Sequence, residues 1–187
     1  MSDIDFNCLK DKEDIKILIC HIFNTLKLNL TKDMIIFCLQ NSKIANFFDL
    51  NNAFSELLDS EILLIDSNNK ITISEKGILV HETLNGSLSQ NIKDRAINAI
   101  LDYVKIVKNI KENNVEIEKI TSGYSIKCSI SGGDFDLMKL SIFAPDIESA
   151  ISIKRNFYKN IEDIYSSVLS KLIINEKPNN DNSCFII

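Results

Sequence analysis

From Asp11 onward the apolar positions of the chain fall into helical step. Ile15, Leu18, Ile19, Ile22, Phe23 and Leu26 share one face of a predicted helix, with Lys12, Glu13, Lys16, Asn24 and Lys27 opposite. Leu28-Asn29-Leu30 interrupts the rhythm, and Thr31 is placed to cap a second helix over 32–41. That helix carries Met34, Ile35, Phe37, Cys38 and Leu39, so it is apolar nearly all round and belongs between other elements. Residues 42–48 are expected to turn, with room for a short strand at 43–45. In a third helix Leu50, Phe54, Leu57 and Leu58 fall at i, i+4, i+7 and i+8, while Asn51, Asn52, Ser55, Glu56 and Asp59 point away; Asp49 is its expected N-cap. Two apolar, β-branched runs, 62–65 and 70–73, are joined by Asp66-Ser67-Asn68-Asn69, a composition that tolerates positive φ, and together they predict a hairpin. Ser74 then caps a helix that closes near Asn85-Gly86.

Ser87-Leu88-Ser89-Gln90 has the spacing of a capping box, and a long helix follows to about residue 111. Its Ile92, Ala96, Ala99, Tyr103, Ile106 and Ile110 are spaced 4, 3, 4, 3, 4, a heptad-like seam that we assign to a homodimer, with Ile100, Val104 and Val107 forming a second stripe. Beyond Asn113-Asn114 the period becomes 2: Val115 and Ile117, then Tyr124, Ile126, Cys128 and Ile130, alternate with polar residues, and Gly132-Gly133 turns the chain into a third strand over 135–143. The parity of that strand slips at Leu137-Met138, which marks a bulge. Pro145-Asp146 opens one last helix whose Ile147, Ala150, Ile151, Phe157, Ile161, Ile164, Tyr165, Val168 and Leu172 suit it to cover the sheet. The expected fold class is α+β. It comprises an N-terminal winged helix-turn-helix over 1–86, a long connecting and dimerisation helix over 87–113, a three-stranded antiparallel sheet covered by a helix over 114–174, and a disordered polar tail over 175–187.

The series 46–57, then Glu61-Ile62-Leu63-Leu64-Ile65, then Ile71-Thr72-Ile73-Ser74-Glu75-Lys76-Gly77 resembles the "helix, L-x-x-x-G-L-I, wing, Y-x-L-T-x-x-G" track of PadR-like and MarR-like winged-helix regulators. It departs where Glu61 replaces the usual glycine and Ile71 stands where an aromatic is common. The layout of nearly the full chain also resembles a bacterial family known only as a domain of unknown function, DUF4364, which is linked to transcriptional regulation on fold grounds. These resemblances imply a DNA-binding transcriptional regulator. On that expectation Asn51, Asn52 and Ser55 face base edges of double-stranded DNA, and Lys32, Lys43 and Lys70 supply the cations that meet phosphate.

Composition narrows the rest. With 187 residues, 45% hydrophobic and 25% charged, the chain has room for one generous domain or two small ones. It has no apolar run long enough for a membrane span, and its acidic amino terminus is unlike a secretory signal, so a cytoplasmic location is expected. Cys8, Cys20, Cys38, Cys128 and Cys184 form no C-x-x-C pair, and His21 and His81 are isolated in sequence, His21 reading as a partly buried helix residue. Phosphate loops, nucleophile elbows and paired catalytic carboxylates are also missing. The expectation is therefore no cofactor, no metal and no enzyme activity, with the second domain a regulatory or assembly module open to a small effector. The terminal Cys184-Phe185-Ile186-Ile187 has the outline of a prenylation box, read here as a chance match. Charge cuts against the DNA reading. Residues 1–86 hold eight lysines and no arginine against thirteen Asp and Glu, a balance of −5 that equals the net charge of the whole chain. A DNA-binding face needs cations, so the alternative is an acidic winged-helix protein-interaction or assembly module.

Overall fold

Asp11 opens helix α1 (Lys12–Thr25) by accepting the Glu13 N–H at 2.9 Å, and Thr31 opens α2 (Lys32–Asn41) by accepting the Met34 N–H at 3.3 Å. This is seen in a computed structural model of the chain, which describes residues 8–67 and 69–173, without the side chain of Asn85. The third helix, α3 (Phe47–Asp59), starts earlier than its apolar period indicates. Its cap is Asn46, not Asp49: the Asn46 side chain accepts the Asp49 N–H at 2.9 Å and donates back to the Asp49 carboxylate. Asp49 therefore sits in the first turn, where its charge suits the helix dipole and the reciprocal pairing resembles a capping box.

Helices α2 and α3 end in the same way. Lys43 (φ 53°) and Glu61 (φ 58°) take the left-handed conformation. After α2, the Lys43 N–H bonds Gln40 O and the Ile44 N–H bonds Leu39 O; after α3, the Glu61 N–H bonds Leu58 O and the Ile62 N–H bonds Leu57 O. Both ends are Schellman motifs, so Glu61 performs the turn for which glycine is the usual residue. The strand considered at 43–45 does not form, because Lys43 is not extended; the Ile44 carbonyl instead accepts the Leu9 N–H at 2.7 Å.

Strands β1 (Leu63–Ile65) and β2 (Ile71–Ile73) pair antiparallel, Leu63 with Ile73 and Ile65 with Ile71. Their turn uses Asn69 at φ 59° and is braced by Asp66, whose carboxylate accepts the Lys70 N–H at 2.9 Å. Ser74 joins three elements at once, donating to Glu61 O at 2.7 Å and accepting the Gly77 N–H at 3.1 Å as the cap of α4 (Glu75–Leu84). A short 3-10 turn, Asn85–Ser87, leads to the long helix α5 (Gln90–Glu112). Ile15, Leu18, Ile19, Ile22, Leu39, Leu50, Phe54 and Leu57 are buried together, with Phe23 edge-on to Phe54 at 6.3 Å between ring centroids.

The chain divides into two compact units, Met1–Val104 and Lys105–Ile187, and the boundary falls inside α5. In the second unit β3 (Asn114–Ile120), β4 (Gly123–Ser131) and β5 (Asp136–Ala144) form an antiparallel sheet in that order. Ile130 pairs with Met138 and Ser131 with Asp136, leaving Leu137 as the extra residue where the sequence parity slips. The single covering helix expected from sequence is two. Helix α6 (Ile147–Lys159) stops at Asn160 and α7 (Ile161–Ile173) starts there. The Asn160 N–H bonds Asn156 O and Phe157 O, its side chain also donates to Asn156 O, and its own carbonyl receives the Ile164 N–H. One asparagine thus ends one helix and begins the next. Among the described residues the fold is α+β, with seven α-helices and antiparallel sheets of two and three strands. The tail expected over 175–187, and the Cys184 box within it, lie outside the described residues.

Gly77 is required by close approach: a Cβ there would stand 2.5 Å from the Ile62 carbonyl oxygen and 2.7 Å from Ile73 Cγ1. Gly77→Ala is expected to cost about 1–3 kcal/mol, the range for overpacking. It should lower the urea midpoint; a midpoint equal to wild type would show that α4 can back away from the hairpin freely.

Candidate functional site

The apolar face of α3 dictates what its other face presents. Leu50, Ala53, Phe54 and Leu57 are buried, so Phe48, Asn52, Ser55 and Asp59, at i, i+4, i+7 and i+11, follow the opposite stripe. Phe48 is 76% exposed, with the ring of Phe47 edge-on to it at 5.7 Å. Of the three residues expected to reach base edges, Asn51 is half-buried and donates to Phe47 O at 3.0 Å, and the Ser55 hydroxyl donates to Asn51 O at 3.1 Å. Asn52 is exposed and keeps its amide uncommitted among the described residues. The acidic groups nearby are partly answered. Glu56 meets Lys16 of α1 at 3.0 Å, and the same lysine meets Glu13 at 2.6 Å. The bonds to Glu13 and Glu56 raise the Lys16 pKa, and Lys16 in turn holds the Glu56 carboxyl below its usual range.

The expected phosphate contacts lie on separate elements. Lys32 is half-buried at the start of α2, its Nζ 6.0 Å from the centroid of the Phe54 ring. Lys43 is the exposed left-handed residue after α2, and Lys70 is exposed where the hairpin turn enters β2. None of the three makes an ion pair among the described residues. Lys70 also borders a groove of about 280 Å³ with Lys27, Leu28, Ile73 and Ile78.

The six residues assigned to a dimer seam are largely taken up within the chain. Ala96 has no exposure and lies in the core of the first unit, with Ile92, Ala99 and Tyr103 packed against that core. Tyr103 also meets Phe37 at 5.3 Å between rings. Ile106 packs into the core of the second unit, and Ile110 alone of the six is strongly exposed, at 51%. The reason is geometric: α5 contributes to both cores, and a heptad seam serves an intrachain partner as well as an intermolecular one. In the second unit the sheet carries two ion pairs at 2.8 Å, Lys127 with Glu118 between β4 and β3 and Lys139 with Asp136 within β5, and Lys127, Lys139 and Asp136 line a hollow of about 500 Å³.

Sequence reasoning missed a histidine pair. His21 on α1 and His81 on α4 meet Nδ1 to Nε2 at 3.1 Å, and the Asn24 amide lies 3.2 Å from His81 Nδ1. No spacing rule joins residues 60 apart in the chain. A separation of 3.1 Å accommodates one proton between the two ring nitrogens and not two. Burial, then His81, then Lys93 of α5 lower the His21 pKa, with Asp94 acting in the opposite sense. Among the described residues no three or more His, Cys, Asp or Glu side chains come together in a way that could hold a metal ion.

A histidine whose folded pKa is depressed binds its proton more readily when unfolded. Its stabilising contribution is therefore complete above the unfolded value of about 6.5 and is lost as pH falls from there towards the lowered folded value. The urea midpoint of wild type should fall between about pH 7.5 and pH 5, above the range where carboxylates titrate. His21→Gln should flatten that dependence. Equal slopes for the two proteins would show that the pair is not the titrating element.

The profile of the family described as a domain of unknown function (DUF4364) matches residues 15–172. No curated protein and no solved structure gives a significant match. The family match runs from within α1 into α7 and so takes in both units with the helix they share: the chain belongs to the DUF4364 family.

Proposed function

We propose that the first unit is a winged helix-turn-helix and that the chain is a DNA-binding transcriptional regulator without enzymatic activity. The observation that carries this reading is the outward stripe of α3, which places on the exposed face, just ahead of the hairpin bearing Lys70, an Asn52 amide; among the described residues neither that amide nor the Lys70 ammonium has a side-chain partner. Helix α2 followed by α3 would form the helix-turn-helix, α3 would enter the major groove, and the β1–β2 hairpin would be the wing. Asn52 would read base edges, with Asn51 and Ser55 at its flanks, while Lys32, Lys43 and Lys70 would meet phosphate. A homodimer belongs to this reading, because paired recognition helices match paired half-sites. Its interface would draw on an apolar group left exposed, such as Ile110 of α5, since Ala96 is enclosed.

The acidic balance of the first unit favours a second reading, an interaction module that binds protein and not DNA. Fluorescence anisotropy with promoter and random duplexes across a salt series separates the two. The regulator should bind with a shallow salt dependence, releasing about two to four counterions per protomer. Lys70→Ala should weaken binding to all duplexes alike and reduce the slope by about one, whereas Asn52→Ala should mainly erode preference between sequences. Absence of saturable binding to any duplex at low salt would leave the interaction module as the better account.

A further inference from the structure

Because α3 begins at Phe47, Phe48 is a helical residue one turn ahead of Asn52 on the same outward stripe. Its ring is 76% exposed and stands edge-on to Phe47, so the start of this helix presents an apolar plate beside a carboxamide that has no hydrogen-bond partner among the described residues. The chemistry of that pair is selective. Guanine is most often read by arginine or lysine donating to its O6 and N7, and α3 contains neither residue. Adenine presents an acceptor and a donor that a carboxamide matches with two bonds, and thymine presents a 5-methyl group that an apolar side chain can cover. Phe48 and Asn52, separated by one helical turn, fit neighbouring base pairs of this kind.

We infer that Phe48 is a specificity-determining residue that covers a thymine methyl while Asn52 pairs with an adjacent adenine, so the preferred duplex carries A·T pairs where α3 enters the major groove. The inference rests on the DNA-binding reading above and sharpens it. It also gives the exposed phenyl ring a function that charge does not supply: apolar contact contributes affinity without any cation on the helix.

The test uses the full chain and a pool of random duplexes, from which bound sequences are selected, and the best binder is then synthesised with thymine or with deoxyuridine in its place. Deoxyuridine keeps every hydrogen-bonding edge and lacks only the methyl group. Wild type should bind the thymine duplex about fourfold more tightly for each covered methyl. Phe48→Ser should lose that difference, Phe48→Leu should retain most of it, and Asn52→Ala should relax the choice of adenine by about fivefold or more while leaving the methyl effect in place. Thermal unfolding confirms that each variant is folded. Equal affinity of wild type for the two duplexes, or a Phe48→Ser protein as sensitive to the methyl as wild type, overturns the inference while the regulator reading stands. Failure to bind any duplex at low salt overturns both.

Discussion

The first unit depends on removing one side of α1 from water. Ile15, Leu18, Ile19 and Ile22 have no exposed surface, and α3, α4 and β2 all lie against the helix that carries them. Full burial of such side chains is worth about 1.5–3 kcal/mol each, so four of them together match the whole net stability typical of a domain, about 5–15 kcal/mol. The candidate site follows from this demand. Once Leu50, Phe54 and Leu57 turn inward to complete the cluster, helical geometry leaves Phe48 and Asn52 no direction but outward.

Electrostatics then shapes what that outward face can do. Lys16 stands between Glu13 and Glu56 and answers one acid of α3 from the neighbouring helix. The unit as a whole stays acidic, so long-range attraction to a polyanion is weak, and recognition would rest on a few close contacts. That balance suits discrimination between sequences more than non-specific affinity.

Much of this was legible in the sequence. The caps Thr31 and Ser74, the buried set Leu50, Phe54 and Leu57, the asparagine-rich hairpin turn and the bulge at Leu137 all follow from local rules, and local rules read them. The misses have physical causes. Asn46 and Asp49 are both competent caps, and they act as one reciprocal unit in which the upstream residue is the cap. The break at Asn160 is silent because Phe157 and Ile161, on either side of it, keep the helical spacing of four. The α5 seam was visible, but its partner was not, since a heptad pattern carries no record of whether the opposing side chain belongs to the same chain. The His21–His81 pair arises only when α1 and α4 come together, and nothing near either residue announces it.

The two left-handed residues that close α2 and α3 set backbone strain against charge at one of them. A side chain in that conformation costs about 1–2 kcal/mol that glycine would avoid. At position 61 a glycine would bring simple relief, but at position 43 it would also remove one of the few positive charges on an acidic unit. A chain that had to meet a polyanion would therefore tolerate glycine at position 61 more readily than at position 43. Glycine at 43 would exchange that charge for an unstrained turn.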